Sequence, residues 1–594
     1  MNRSIALGAV LGLSLMAAAP VSAQDSPTSI VNKLGVDQDV RSGQKILMDE
    51  ILSGSLTFLD DDGATRLGGH NVQANVPSGD YIQQFPGFRP FVHATQSEVS
   101  TAAFEQHVVL GYNNSAGLHV STNPSGPGLI VDRVQLSGFA ASSDGGKTWT
   151  NGFLPPSHGA KQTFGDPSVG VDRQGAFYYA TLGADALGRG TIQVNTSHDG
   201  GDTWSEGAIV QQDDASDKEW LAVGPDPANR HRDNVYVTWT SFQTAACELR
   251  FGRSTDGGAT WTAKTIFVPT SDPNPAHPQN CLQFSNPVVD SETGTLYVPF
   301  LRFSNADQDF IQMMISDDAG DTFHFATFNA PGAPSPTVLP VTQPGEATAC
   351  GGTNIRLTMH GTLNAGPGRF GFPRYVNASR LTLQPAAAAR HGVVYLAWNN
   401  SQSSIFGSSA GSDVWYLRSH DGGQTWSSPM TVNPIVATDT HHVLPSLAMG
   451  EDSDDVHISY YTQHTDSTID LDMANSDDGA FPPGRTVRIT STSFHLPPTN
   501  IALTNGPLFR ATNFDRLIAV CYSLGEYHGV TATDDAVYVG WGDARNQITE
   551  PVNALNPISG QTHPQQDVFF QKVRVGDHGR PTDDGGRRDD DRRR

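Results

Sequence analysis

Short apolar runs rich in Val, Tyr, Phe and Trp recur along the chain, and clusters of Gly, Asp, Asn and Pro separate them. Runs this short, bounded by turn residues, read as strands, and no stretch keeps the period of a long amphipathic helix. One strand rhymes through the sequence: Phe177-Tyr178-Tyr179-Ala180, Val235-Tyr236-Val237-Thr238-Trp239, Val394-Tyr395-Leu396-Ala397-Trp398 and Val537-Tyr538-Val539-Gly540-Trp541. Another apolar strand stands before it, as in Pro167-Ser168-Val169-Gly170-Val171-Asp172. The pattern predicts an all-β chain built from repeated antiparallel pairs.

A turn recurs with the strands. Ser142-Ser143-Asp144-Gly145-Gly146-Lys147-Thr148-Trp149 follows Ser-x-Asp-x-Gly-x-Thr-Trp, and copies run Ser197 to Trp204, Ser254 to Trp261, Ser316 to Phe323 and Ser419 to Trp426. A decayed copy stands at Ser476-Asp477-Asp478-Gly479. Asp144, Asp199, Asp256 and Asp318 are 55, 57 and 62 residues apart; Asp421 follows after 103 and Asp478 after a further 57. In such a turn the carboxylate accepts bonds from backbone N–H groups, the glycines take positive φ, and the Trp wedges between sheets. A period of one four-stranded sheet, interrupted once, is the signature of a β-propeller.

Counting pairs and turns gives units near 104–153, 165–211, 217–268, 284–328, 380–432, 442–490 and 526–575, hence seven blades, with six as the alternative. The last unit lacks the turn, and its missing outer strand is expected from the N-terminal segment, which would close the ring and remove a sheet edge. The propeller is assigned to 86–575 with a Pro- and Gly-rich insertion at 329–379, the irregular N-terminal extension to 24–85, and a tail without apolar content, expected to be disordered, to 576–594.

Residues 1–23 read as an export signal: Arg3, an apolar run from Ile5 to Ala19, and the small-residue cleavage site Val21-Ser22-Ala23 before Gln24. No later segment approaches the roughly 20 apolar residues of a membrane helix. A secreted or periplasmic monomer without membrane insertion is expected. The 37 basic and 61 acidic side chains leave a net charge of −24, which repels phosphate backbones and excludes nucleic acid as a partner. The same field opposes an anionic sugar unless several Arg converge. No cofactor is implied. Asp60-Asp61-Asp62-Gly63 lacks the alternating ligands of a calcium loop and reads as a turn, so structural calcium is the weaker expectation and no metal site is assigned.

The repeated turn is the Asp-box, or BNR repeat, and over roughly residues 100–575 the chain resembles the sialidase superfamily. The resemblance implies a propeller that acts on glycans, with its boxes on the face away from the active site. Sialidases clamp the substrate carboxylate with three Arg, whose planar fork suits it. They attack with a Tyr activated by Glu, which does not repel an anionic sugar, and use an Asp as acid and base. Phe88-Arg89-Pro90 resembles the first clamp motif without its Ile. Cys521-Tyr522-Ser523-Leu524, with Glu526 and Tyr527 behind it, resembles the nucleophile region. No other Arg stands in a clamp motif, although Arg356, Arg374, Arg380 and Arg545 are available.

A second route needs no motif. The innermost strand of each blade begins at the mouth of the central channel, so residues at these starts line the expected pocket: Arg89, Asp166, Asp217 with Lys218, Asn286, Arg380, His441 with His442, and Glu526 with Tyr527 and His528. From both routes, Tyr527, Glu526, Asp166 and Tyr522 are the candidate catalytic groups, and Arg89, Lys218, Arg380, His442 and Arg545 the candidate substrate-binding groups. Three functions fit: a sialidase-like exo-glycosidase acting on a terminal sugar, a lyase on an acidic polysaccharide, or a non-catalytic propeller that binds glycan or protein. The first needs three Arg in one pocket, the second a Tyr/His pair beside a cation, and the third neither.

Four cysteines in an exported chain permit two disulfides. Loops between second and third strands and loops between blades emerge on one face. Cys247 and Cys281 lie in two such loops of one blade and are expected to pair. Cys350, in the insertion, and Cys521, in the loop before the last blade, make the second pair.

Overall fold

The computed structural model describes residues 71–75, 96–114, 117–122, 129–244, 247–269, 282–302, 309–333, 335–341, 345–346, 379–380, 384–402, 411–433, 440–450, 455–466, 468–477, 479–481, 486–495, 525–533, 535–549 and 562–574. Only the backbone is described for 118–122, 129–133, 345–346, 379–380, 548–549 and 563–565. Every named element among these residues is a β-strand. The expected signal, the tail and Asp60–Gly63 lie outside the described residues.

The strands form antiparallel sheets in chain order. The first sheet runs Gln96–Phe104, His107–Asn114, Ser137–Ser142, Thr150–Phe153. The second runs Gln162–Val171, Phe177–Ala184, Gly190–Ser197, Ala208–Gln212, and the third Ser216–Asp226, Asn229–Ser241, Glu248–Ser254, Thr262–Phe267. In the fourth, the inner strand is broken into Leu282–Gln283 and Val288–Val289, followed by Leu296–Arg302, Asp309–Ser316 and His324–Phe325. The fifth runs Ala386–Arg390, Val393–Ser401, Ser412–Ser419, Met430–Thr431, and the sixth His441–Met449, Val456–Gln463, Ile469–Ser476, Thr486–Arg488, the two joined by one parallel pair, Ser412 with His441. The last holds Gly529–Ala532, Ala536–Thr549 and Thr562–Arg574, and its fourth strand is Val72–Gln73, paired through Val72 with Phe570. The N-terminal segment therefore supplies the outer strand that the sequence lacks at the C-terminal end.

Inner strands pack on inner strands. Gln96–Phe104 meets Gln162–Val171, which meets Ser216–Asp226, and the contacts continue through Val288–Val289, Ala386–Arg390, His441–Met449 and Gly529–Ala532 back to Gln96–Phe104. The apolar core lies between faces of successive sheets. Tyr236, Leu249 and Phe251 of the third pack on Leu296, Val298 and Phe300 of the fourth, and Val99, Leu110 and Tyr112 of the first on Tyr538, Val568 and Phe570 of the last. A sheet covered on both faces needs apolar residues on both, so second strands such as Phe177–Ala184 and Leu296–Arg302 are buried at every position.

Three boundaries differ from the expected ones. The first sheet starts at Gln96, not near 104, because Glu105-Gln106 is the turn between its first two strands. The apolar run after that turn is the second strand. Leu118–Thr122 and Leu129–Gln135 form an unexpected antiparallel pair that adds to the edge of the second sheet through a parallel contact with Gln162–Val171. Part of the 329–379 insertion belongs to the fourth sheet, where Leu339–Val341 pairs with Asp309–Ser316.

Candidate functional site

The repeated turns sit between third and fourth strands, and each saturates its own carboxylate. Asp144 Oδ1 accepts from the backbone N–H of Lys147 and Thr148, both at 2.9 Å, and Oδ2 accepts from the Thr148 hydroxyl at 2.7 Å. Ser142 donates to Asp144 and accepts from Gly146 N. Asp199, Asp256, Asp318 and Asp421 repeat the bond from the Thr backbone N–H four residues on. The Thr425 hydroxyl and N–H bring the Asp421 carboxyl down to about 2. These carboxylates are occupied within their own turns.

The opposite end of the sheets is different. In the third sheet Ser216 pairs with Ser241 and Ser241 with Glu248 at one end, whereas the turn after Ser254 lies at the other, opposite Val235. Close to the first end the inner-strand ladder breaks: the register shifts between Ser97 and Ser100, Gly165 and Ser168, Asp217 and Trp220, and Val443 and Ser446. Within these bulges Glu98, Asp166, Lys218 and Leu444 hold φ of 54°, 58°, 53° and 54°. Left-handed backbone is costly for residues with a Cβ, and bulges re-aim side chains. Ser100 accepts from Val169 N and Ser168 from Leu221 N, so neighbouring inner strands are laced side chain to backbone.

Three of these bulge residues meet. Lys218 Nζ lies 3.4 Å from Glu98 Oε2 and 3.5 Å from Asp166 Oδ2, and it is ion-paired with Glu526. Glu98 also accepts from Asn113 Nδ2 at 3.0 Å and from Glu526 N at 3.1 Å. The other end of the same amide, Asn113 Oδ1, accepts from Asp166 N at 2.8 Å. The Tyr527 hydroxyl donates to Pro167 O at 2.9 Å, and its ring stands edge-on to Trp220, 4.7 Å between centroids. Lys218 Nζ is 5.6 Å from the Tyr527 ring centre. Glu98, Asp166, Lys218, Glu219, Glu526 and Tyr527 are all buried.

The electrostatics follow from that burial. Desolvation alone would lower the Lys218 ammonium, but Asp166, Glu526, Glu98 and Asp217 outweigh it and hold it well above the ordinary lysine value. Burial, then Asp166, pushes the Glu219 carboxyl well above the usual carboxylate range. Burial, then Glu98 and Asp166, keeps the proton on Tyr527. Among the described residues, neither oxygen of Asp166 nor of Glu219 has a hydrogen-bond partner. Buried carboxyl groups with open lone pairs are rare and call for an explanation.

Of the candidates, Asp166, Lys218, Glu526 and Tyr527 come together. Arg89 and Tyr522 lie outside the described residues, as do Cys281, Cys350 and Cys521. Arg380 belongs to a short strand paired with Gly345–Glu346, and its side chain is not among those described. Cys247 is buried in the apolar cluster of Phe284, Tyr297 and Leu301. His442 is bonded to Thr462 at 3.1 Å and packs edge-on against Tyr460; burial lowers it to about 4. Arg545 is paired with Asp543 at 2.7 Å, donates to Ser491 and lies over Phe569. Both are thus engaged within the sixth and last sheets. Asn286 and Asp217 serve as links between sheets, accepting from Ala387 N and Gln283 Nε2. His528 turns from Tyr527 toward Ser459, 2.7 Å away, and burial lowers it to about 3.

Two members were missed from the sequence. Glu98 was hidden by the misplaced start of the first sheet. Glu219 was passed over because the strand start was read at Asp217 and Lys218 alone, and the bulge there extends to Trp220. A signal was present: an outward residue followed two positions later by Ser recurs as Glu98/Ser100, Asp166/Ser168 and Leu444/Ser446.

No protein-family profile matches the chain, and no curated protein does. Among solved structures, a Dyadobacter fermentans protein of unknown function is 13% identical over 70% of this chain and 97% of its own, with a TM-score of 0.36. A Hadza microbial sialidase is 13% identical over 75% of both chains, TM-score 0.37. An α-L-arabinofuranosidase of Fusarium graminearum is 12% identical over 59% of this chain and 91% of its own, TM-score 0.31. Likenesses at this level carry no residue role across.

Proposed function

We propose that the chain is an exported seven-bladed β-propeller that acts on glycans, hydrolysing a terminal sugar with the carboxyl groups gathered around Lys218. The circuit of inner strands that returns to Gln96–Phe104 supports the blade count. No described helix is long and apolar enough to cross a membrane.

One observation carries the activity. Asp166 is 1% exposed, sits on left-handed backbone, and has neither oxygen hydrogen-bonded, with Lys218 Nζ 3.5 Å away as its counter-ion. A carboxylate that only held strands together would use its lone pairs, as Asp144 does in its turn. A carboxyl group with open lone pairs beside a cation suits the base that activates water in glycoside hydrolysis. Lys218 stands beside it as a counter-ion, Glu98 and Glu526 hold Lys218, and Asn113 links Glu98 to the backbone of Asp166. Tyr527 retains its proton and donates it to Pro167 O, so it acts as a wall of the site and not as a phenolate nucleophile. The turning of His528 toward Ser459 speaks against a lyase built on a Tyr527/His528 pair.

A binding propeller is the second reading, and the burial of the whole cluster favours it: there the charges would be a plug that fastens the inner strands. A panel of aryl sialosides and neutral aryl glycosides, with acidic polysaccharides followed by ultraviolet absorbance of unsaturated product, separates the readings. Asp166→Asn should lower kcat on the responsive glycoside about 10²–10⁴-fold while leaving the melting temperature unchanged or raised. A lowered melting temperature with undiminished turnover would establish the plug instead.

A further inference from the structure

Glu219 has the environment of a stored proton. It follows Lys218 in the bulge and precedes Trp220, whose ring is fixed against Tyr527 at 4.7 Å. It is 1% exposed, and among the described residues neither carboxyl oxygen meets a hydrogen-bond partner and it forms no ion pair. The adjacent ammonium of Lys218 is bound to Glu98, Asp166 and Glu526 instead. An ionised carboxylate in that position would be desolvated and repelled by Asp166 and Asp217, which outweighs the help of its own backbone N–H and of Lys218, whereas the neutral acid escapes the repulsion and most of the desolvation cost.

We propose that Glu219 is the proton donor of this site, working with Asp166 as the base. The inference rests on the hydrolase reading given above. As the bond between the anomeric carbon and the bridging oxygen breaks, its electron pair leaves with that oxygen, which takes the Glu219 proton. Water adds to the anomeric carbon and loses its proton to Asp166. One proton has been given up by Glu219 and one gained by Asp166, and transfer between the two carboxyl groups restores the starting state. A buried carboxyl group whose surroundings favour the protonated form is the usual candidate for the acid of such a pair. Besides Asp166, the titratable groups acting on Glu219 are Asp217 and Lys218, and its own charge is felt by Tyr179 and Tyr527. The upward displacement of Glu219 by burial and by Asp166 agrees with the geometry.

The test uses the full chain and two leaving groups on whichever sugar of the aryl glycoside panel it cleaves. Glu219→Gln should slow hydrolysis of the unsubstituted phenyl glycoside by about 10²-fold or more. The dinitrophenyl glycoside, whose leaving group needs no proton, should change by less than about tenfold. Infrared spectra at neutral pH should contain a protonated carboxyl C=O band in the wild type and in Glu219→Asp, absent from Glu219→Gln. Thermal melting of Glu219→Gln at or above the wild-type temperature shows that folding is intact. Equal slowing on both leaving groups, or a band that survives Glu219→Gln, overturns the donor role alone. A wild type that cleaves no glycoside of the panel overturns the hydrolase reading and the donor role with it.

Discussion

At one end of the third sheet Asp256 takes the Thr260 N–H at 2.9 Å and the Thr260 hydroxyl at 2.6 Å, both from its own turn. At the other end Glu219, in the same sheet, takes nothing, and Asp166 in the sheet beside it takes only the distant charge of Lys218. The first carboxylate is near solvent and fully bonded, and its pKa lies below the ordinary value because Thr260 favours the charged form. The second pair is buried and open, and Glu219 is displaced upward. The contrast separates a carboxylate that builds the fold from carboxyl groups the fold shelters. Local bonds are made within a few residues and repeated wherever the turn occurs. The sheltered cluster is made once, at strained backbone, by residues that stabilise one another poorly without Lys218.

The largest expected effect comes from removing that cation. Lys218→Met leaves Glu98, Asp166 and Glu526 buried without their shared counter-ion and should destabilise the protein by about 3–5 kcal/mol in chemical denaturation at neutral pH. Because the folded-state pKa of Lys218 is raised above 10.5, its contribution is complete below that value and is lost as pH rises through the folded value. The gap between wild type and Lys218→Met should therefore close at strongly alkaline pH. A gap that persists unchanged would mean that Lys218 acts through packing.

A smaller effect is expected at the turn end. Asp256→Ala orphans the turn donors and should cost about 1–3 kcal/mol in the same denaturation experiment, with kcat and KM on the responsive glycoside unchanged. A change in either kinetic constant would join the two ends of the sheet and undo the contrast.

The smallest effect concerns acid. The Asp421 carboxyl lies at about 2, below its ordinary 3.8, so its contribution is present above 3.8 and disappears as pH falls through about 2. The group is exposed and well screened, so wild type and Asp421→Asn should differ only slightly in melting temperature at neutral pH and converge below pH 2. Convergence already at pH 4 would show that the turn bonds do not favour the charged carboxylate.

Strand pairs and turns were legible along the chain because their causes are short-range. Asp144, Asp199, Asp256, Asp318 and Asp421 each bond to a Thr four residues on, so the spacing itself contains the contact. The need for an N-terminal strand was legible too, as an absence in the last unit that Val72–Gln73 fills. Asp166, Lys218, Glu526 and Tyr527 could be marked because the residues where inner strands begin share one place in a propeller. His442 met the same criterion and is engaged elsewhere, since a strand start limits position along the axis and not the direction of the side chain; Arg545 was marked only as an available Arg and is bound within the last sheet.

What the sequence by itself determined is the repeat: which residues turn, which extend, and that each strand buried on both faces must be apolar. Tertiary structure alone decided which charges meet. Glu98 and Glu526 are 428 residues apart and touch because the last inner strand packs against the first. Glu219 is open because a one-residue bulge at Lys218 breaks the alternation that would otherwise assign its face. A period of two cannot report its own interruption, and contact across a closing ring leaves no spacing to read.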